Sequence, residues 1–129
     1  DAMAAAQGLP GPTSFADEAP PAGGFLIAHF NDVYEILPHA KKGGGAARFA
    51  AKLNELTARL GVRPLVVFSG DALSPSNLSQ FSGGKHMTDV FNAIGVDVAL
   101  PGNHDFDLGV GALEDNIELS TAKWILSNL

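Results

Sequence analysis

The chain contains no cysteine. That excludes a disulfide scaffold, a thiol nucleophile and a thiolate metal site. Basic residues are also few. Eight Lys and Arg stand against 14 Asp and Glu, a formal net charge of −6 with a pI near 4.9. This balance argues against a sequence-independent nucleic-acid binder, whose footprint would be basic. No run approaches the roughly 18 apolar residues that a membrane span requires. The first 24 residues hold no Lys or Arg at all, so they carry neither a basic secretory n-region nor the Arg-rich face of a transit peptide. Localisation is left open. Histidine is sparse: His29, His39, His86 and His104, with none beyond.

What is there is enough to build a core. Of 129 residues, 46% are hydrophobic and 17% charged, and the mean hydropathy is +0.13. This suits one globular domain or part of one. Residues 1–24 differ from the rest. They hold four of the eight prolines with Ala and Gly between them, and they read as a flexible arm with too little apolar surface to offset ordering entropy. Residues 25–129 are regular. Phe25–Phe30 is a short apolar run that suits a buried strand. Gly43-Gly44-Gly45 opens a helix whose Phe49, Leu53, Leu56 and Leu60 share one face, with Gly61 as its stop. Pro64–Phe68 is a second strand. A second helix over Lys85–Ile94 ends at Gly95, and Asp97–Leu100 is a third strand. A further helix over Val110–Leu119 and the run Trp124–Leu126 follow. The fold class is therefore α/β, built from successive βαβ units with a parallel sheet.

Each of the three apolar runs ends in polar groups. They are Asn31-Asp32, then Gly70-Asp71, then Asn103-His104-Asp105 with Asp107. In open α/β sheets, ligands bind beyond the carboxyl ends of the strands, so a parallel sheet would gather these groups in one crevice. Oxygen-rich donors with one or two nitrogens suit Mn²⁺, Mg²⁺, Fe²⁺ or Zn²⁺. Asp and Asn after a strand also serve as turn residues and helix caps, and any one of these positions is explained that way. Three in series are harder to explain so, and Gly102-Asn103-His104-Asp105 is the sharpest element.

These blocks resemble the calcineurin-like metallophosphoesterase superfamily, and within it the 5′-nucleotidases. The superfamily sets Asp-x-His after its first strand, Gly-Asp after its second and Gly-Asn-His-Asp/Glu after its third. Here they read Asp32-Val33-Tyr34, Gly70-Asp71 and Gly102–Asp105. His29-Phe30-Asn31-Asp32, Gly44-Gly45-Ala46-Ala47-Arg48 and Gly102–Asp107 are similar to further 5′-nucleotidase signatures. The resemblance implies that residues 25–129 form the N-terminal βαβαβ portion of a metallophosphoesterase αββα sandwich. It implies two divalent cations, with Asp71 bridging them, Asp32 on the first and Asn103 on the second. His104, supported by Asp107, would face the phosphoryl group as a catalytic residue, since a carboxylate orients the imidazole and favours its cationic form. The implied substrate is a phosphomonoester, most often a nucleotide, hydrolysed by in-line attack of a water.

Two departures matter. Tyr34 stands where the family has His, which predicts a weaker or differently selective first metal site; Glu35 enters it only if a turn swings it in. The histidines that complete both sites in the family come after later strands, and none lies beyond His104. The expectation is an incomplete domain, inactive alone, that needs a C-terminal continuation or neighbouring chains to complete the fold. The alternative is a catalytically degenerate protein that keeps the fold for a structural role in an assembly. Among the other polar residues, His29 reads as a hydrogen-bonded strand residue and His39 and His86 as solvated surface. Ser74, Ser76 and Ser79 lack a nucleophile elbow, Gly43–Gly45 lacks the Walker spacing, and Trp124 reads as core.

Overall fold

The computed structural model describes residues 24–41 and 43–127. The predicted arm therefore lies, but for Gly24, outside the described residues. The order of elements is β1 (Ile27–Phe30), α1 (Ala46–Leu60), β2 (Leu65–Ser69), α2 (Ser79–Ser82), α3 (Lys85–Ile94), β3 (Val98–Leu100), a single 3₁₀ turn (Asn103–Phe106), α4 (Val110–Leu119) and β4 (Lys123–Trp124). The four strands form one sheet in the order β1-β2-β3-β4, and every pair is parallel. Helices α1, α3 and α4 fall at their expected positions. Gly61 and Gly95 end α1 and α3 in the left-handed conformation, with φ of 65° and 73°, where glycine carries no Cβ penalty. The sequence pattern did not show the short α2 or the 3₁₀ turn.

Three crossovers each advance the chain by one strand in the same direction, which places the helices on one face. Ala28, Phe30, Val66, Phe68, Ala99 and Trp124 point into that layer. There they meet Leu53 of α1, Met87 and Phe91 of α3 and Leu113 of α4. Phe68 lies at the centre, fully buried, with ring contacts to Phe30 at 5.3 Å and Phe91 at 4.6 Å. Strand side chains alternate between faces, so Ile27, His29, Leu65, Val67, Ser69, Val98 and Leu100 form the opposite face. No described helix covers that face. Ile27 is 56% exposed and Leu65 42%. One helical layer and one sheet are thus present, the α/β arrangement expected of the N-terminal portion of a metallophosphoesterase domain.

The amino ends of β2 and β3 are tied by Arg63 and Asp97. The guanidinium donates to both carboxylate oxygens at 3.0 and 2.9 Å, and Val66 N donates to the same carboxylate at 2.8 Å. Arg63 also reaches Gly95 O at 2.7 Å. The groups that carry chemistry lie at the other edge.

Candidate functional site

Parallel pairing brings the carboxyl ends of β1, β2 and β3 together, with Phe30 beside Phe68 and Ser69 beside Leu100. The chain that follows each strand is then stitched to its neighbour. Asp32 N donates to Gly70 O and Val33 N to Asp71 O, both at 3.0 Å. Asp32 and Asp71 are the two non-glycine residues with positive φ among the described residues, at 54° and 68°. Non-glycine residues adopt that region uncommonly, and asparagine and aspartate lead among those that do.

Glycine lets the second and third loops cross. A Cβ on Gly70 would lie 2.7 Å from Gly102 N, and one on Gly102 would lie 2.2 Å from Asp71 Oδ1. Beneath the crossing sits Asp105, 1% exposed. Its Oδ1 accepts the N–H groups of Ala72 and Leu73, and its Oδ2 those of Asp71 and Gly102, all at 2.8 Å. One carboxylate thereby satisfies four backbone donors from two loops, which offsets the cost of burying its charge. Sequence reading gave Asp105 no role of its own. The available signal was an acid three residues after Gly102 at the start of a helical turn, half of a capping-box pattern.

On that platform, Asp71 Oδ1 accepts His104 N–H at 2.8 Å. The other oxygen, Oδ2, has no donor among the described residues. The His104 ring is held by Asp107, Nδ1 to Oδ2 at 2.8 Å. That hydrogen bond raises the pKa of His104 above its ordinary value; desolvation opposes the rise, and the charges of Asp107, Asp71 and Asp32 add to it. Asn103 begins the 3₁₀ turn with its side chain exposed. The structure thus brings together Asp32, Asp71, Asn103, His104 and Asp107 at one edge of the sheet.

The first loop is built differently. Asp32 is exposed. Tyr34 donates to its Oδ1 at 3.0 Å, and Asn31 Nδ2 donates to its Oδ2. The Tyr34 ring stands edge-on to His104, with centroids 6.2 Å apart. Its phenol pKa is pushed up to about 12, first by desolvation, then by the hydrogen bond to Asp32 and the charges of Asp71, Asp32 and Asp105. The phenol is therefore a donor rather than a phenolate. Glu35 lines an apolar cavity of about 470 Å³ between α1 and α3, with Arg48, Phe49 and Phe91.

The remaining histidines are occupied elsewhere. His29 Nε2 bonds Ser69 Oγ at 2.6 Å, as a strand residue would, and His39 lies in an exposed bridge with Gly43. His86 corrects its reading as solvated surface, because it is buried. Ser82 Oγ gives its proton to Leu78 O at 2.9 Å and so accepts from His86 Nδ1 at 2.7 Å, while Ser76 Oγ lies 3.3 Å from Nε2. The segment between β2 and α3, α2 included, folds back over the first turn of α3 and supplies those hydroxyls.

Among the described residues, no three His, Cys, Asp or Glu side chains gather closely enough to hold a metal ion. Two carboxylates and an amide oxygen are nonetheless at hand, with one oxygen of Asp71 free of donors. These are oxygen donors of the kind that hard divalent cations take.

Fold and loops together define a phosphoesterase-type α/β domain. A family model for calcineurin-like phosphoesterases matches residues 25–128, and the chain belongs to that family. A more particular likeness is to a snake venom 5′-nucleotidase from Gloydius brevicauda. It is 31% identical over a 106-residue alignment that takes in 73% of this chain and 18% of the relative. The aligned region therefore spans under a fifth of that curated protein. Calcineurin-like phosphoesterases use divalent metal ions, in keeping with the oxygen donors gathered here.

Proposed function

We propose that the protein carrying this chain is a metal-dependent phosphomonoester hydrolase acting on nucleotides, and that these residues supply part of its site. The observation that carries this reading is the linked pair of loops after β2 and β3. Asp71 receives the backbone of His104, and Asp107 fixes the ring of His104. Asp32, Asp71 and Asn103 would hold two divalent cations, which when bound supply Lewis-acid stabilisation of the phosphoryl oxygens and acidify a water. His104 acts beside them. With Nδ1 committed to Asp107, Nε2 is the ring position that can meet a phosphoryl or leaving oxygen. A cationic imidazole there donates a hydrogen bond to developing charge or gives up its proton to the leaving group. Asp107 keeps the ring oriented and favours its cationic form before the proton is given up.

The likeness to a 5′-nucleotidase supports a nucleoside monophosphate as the substrate class. The scarcity of nitrogen ligands supports incompleteness: the remaining donors would come from a continuation or from neighbouring chains. Phosphate release from a nucleoside 5′-monophosphate with Mn²⁺ or Zn²⁺ tests both points, on the 129 residues and on the chain extended by its downstream sequence. Turnover confined to the extended chain and abolished by Asp71→Asn is the expected result. Turnover by the 129 residues alone, lost on the same change, would overturn the claim of incompleteness. An inert extended chain would favour the second reading, a degenerate metallophosphoesterase fold with a structural role, to which Tyr34 in place of histidine lends weight.

A further inference from the structure

Base and acid are unevenly spread along this acidic chain. No Asp or Glu lies between Glu35 and Glu55, and four of the eight Lys and Arg fall in that stretch: Lys41, Lys42, Arg48 and Lys52. The stretch leaves the candidate site just after Tyr34 and returns to form α1. His39 N donates to Gly43 O at 2.9 Å and Gly43 N to His39 O at 2.8 Å, which closes a turn that holds Lys41. Ala46 N donates to Ile36 O at 2.9 Å and fastens the base of this loop to the start of α1. Arg48 folds back onto the same loop, since a Cβ on Gly43 would lie 2.9 Å from its Nη1. The loop thus brings Lys41 and the Arg48 guanidinium to one corner. Both residues are exposed, and neither has an ion-pair partner among the described residues. Lys52, Arg63 and Lys85 are instead matched by Glu55, Asp97 and Asp89. Glu35 lines the same cavity as Arg48, but no ion pair joins the two.

That corner adjoins the site. In a parallel crossover the helix begins on the side where the strand before it ends, so the first turn of α1 stands at the edge that gathers Asp32, Asp71 and His104. Val33, between Asp32 and Tyr34, lines the same cavity as Arg48. A phosphomonoester carries close to two negative charges at neutral pH, whereas the chain it approaches has a net charge of −6. Cations held by Asp32 and Asp71 would offset the carboxylates at the centre, but not the acid excess around it. Unmatched positive charge beside a cleft concentrates an anion there and speeds its encounter by about 10–10³-fold. We propose that Lys41 and Arg48 form a cationic guide that draws the anionic substrate to the β1 side of the site, an inference that rests on the phosphomonoesterase reading. The guide acts on KM and not on the chemical step. Salt screens it, because the Debye length falls from about 10 Å at 0.1 M to about 3 Å at 1 M.

The test uses the full-length protein that carries this chain, with adenosine 5′-monophosphate and Mn²⁺, and reads kcat and KM at ionic strengths of about 0.1 M and about 1 M. At the lower value Lys41→Glu should reduce kcat/KM about threefold, and Lys41→Glu with Arg48→Glu about tenfold, through KM with kcat unchanged. At the higher value both variants should return to within about twofold of the parent. Arg48→Lys keeps the charge and should keep the parent's kcat/KM. Lys123→Glu alters the net charge as much as Lys41→Glu does, but it lies at the opposite edge of the sheet, where β4 begins, and should leave kcat/KM unaltered. A loss that salt does not relieve, an equal loss from Lys123→Glu, or no loss at all would overturn the guide. In those cases turnover abolished by Asp71→Asn would leave the reading of the site standing. A parent protein that does not hydrolyse the nucleotide would instead sink that reading, and the guide with it.

Discussion

The two halves of the site are made in opposite ways. The half after β2 and β3 rests on a buried carboxylate, Asp105, whose four accepted N–H bonds fix two loops at once. The half after β1 rests on an edge strand, with Asp32 exposed and steadied by side chains from its own loop, Asn31 and Tyr34. The first half matches the family's pattern in its residues, and the second departs from it at Tyr34. The contrast teaches where this chain has room to vary. A group that fixes backbone from beneath has little freedom to change, while an exposed group held by its neighbours can change partner without unfolding the sheet.

The contrast can be broken most forcefully at Asp105. Asp105→Asn would set an amide N–H against backbone donors, leaving buried N–H groups unsatisfied. The cost should be about 3–5 kcal/mol, measured by denaturant unfolding. A loss near that of a surface change would dissolve the distinction between the halves. Gly102→Ala comes next. Its backbone, at φ −94°, admits alanine, but the new methyl would lie 2.2 Å from Asp71 Oδ1. Overpacking of this kind costs about 1–3 kcal/mol, and the signals of Asp71 and His104 should shift in an amide spectrum.

A smaller effect is expected at Asp107. Its hydrogen bond raises the pKa of His104, so Asp107→Asn should lower the His104 midpoint in a proton titration of the imidazole. The sign for stability follows from linkage. A raised folded-state pKa stabilises fully below the unfolded value, and that contribution disappears as pH rises through the folded one. The parent should therefore lose this small increment on passing from mildly acid to alkaline pH, and the variant should not. An unchanged midpoint would mean that Asp107 does not govern the ring. Smallest of all is Tyr34→Phe. It removes one hydrogen bond on the accessible side of the site, and unfolding should change by about 1 kcal/mol or less. A larger loss would make the β1 half as built-in as the other.

Local pattern made much of this legible. Helical periodicity and terminal glycines placed α1 and α3, because period and cap chemistry are properties of a few adjacent residues. The polar blocks after the strands were visible for the same reason, and the parallel sheet had to bring them to one edge. Asp105 escaped because three of its four donors lie 32–34 positions away, with Gly102 alone nearby. The partners of His86 are close in sequence, Ser82 and Ser76, but its burial depends on how the segment before α3 folds back onto that helix, which a local pattern does not give. Which sheet face receives the described helices was equally hidden, since alternation along a strand does not say which side they take.

By itself, then, the sequence determined the α/β class, the positions of α1, α3 and α4 and the family blocks around Asp71, Asn103, His104 and Asp107. It also determined the absences, with no cysteine and no histidine beyond His104. Only the tertiary structure decided that Asp105 locks the site from below, that Tyr34 caps Asp32 beside His104, and that the described helices all pack on one face of the sheet. The physical reason is range. Propensity, periodicity and capping act over a few residues, whereas burial and long-range hydrogen bonds exist only once separated segments have been brought together.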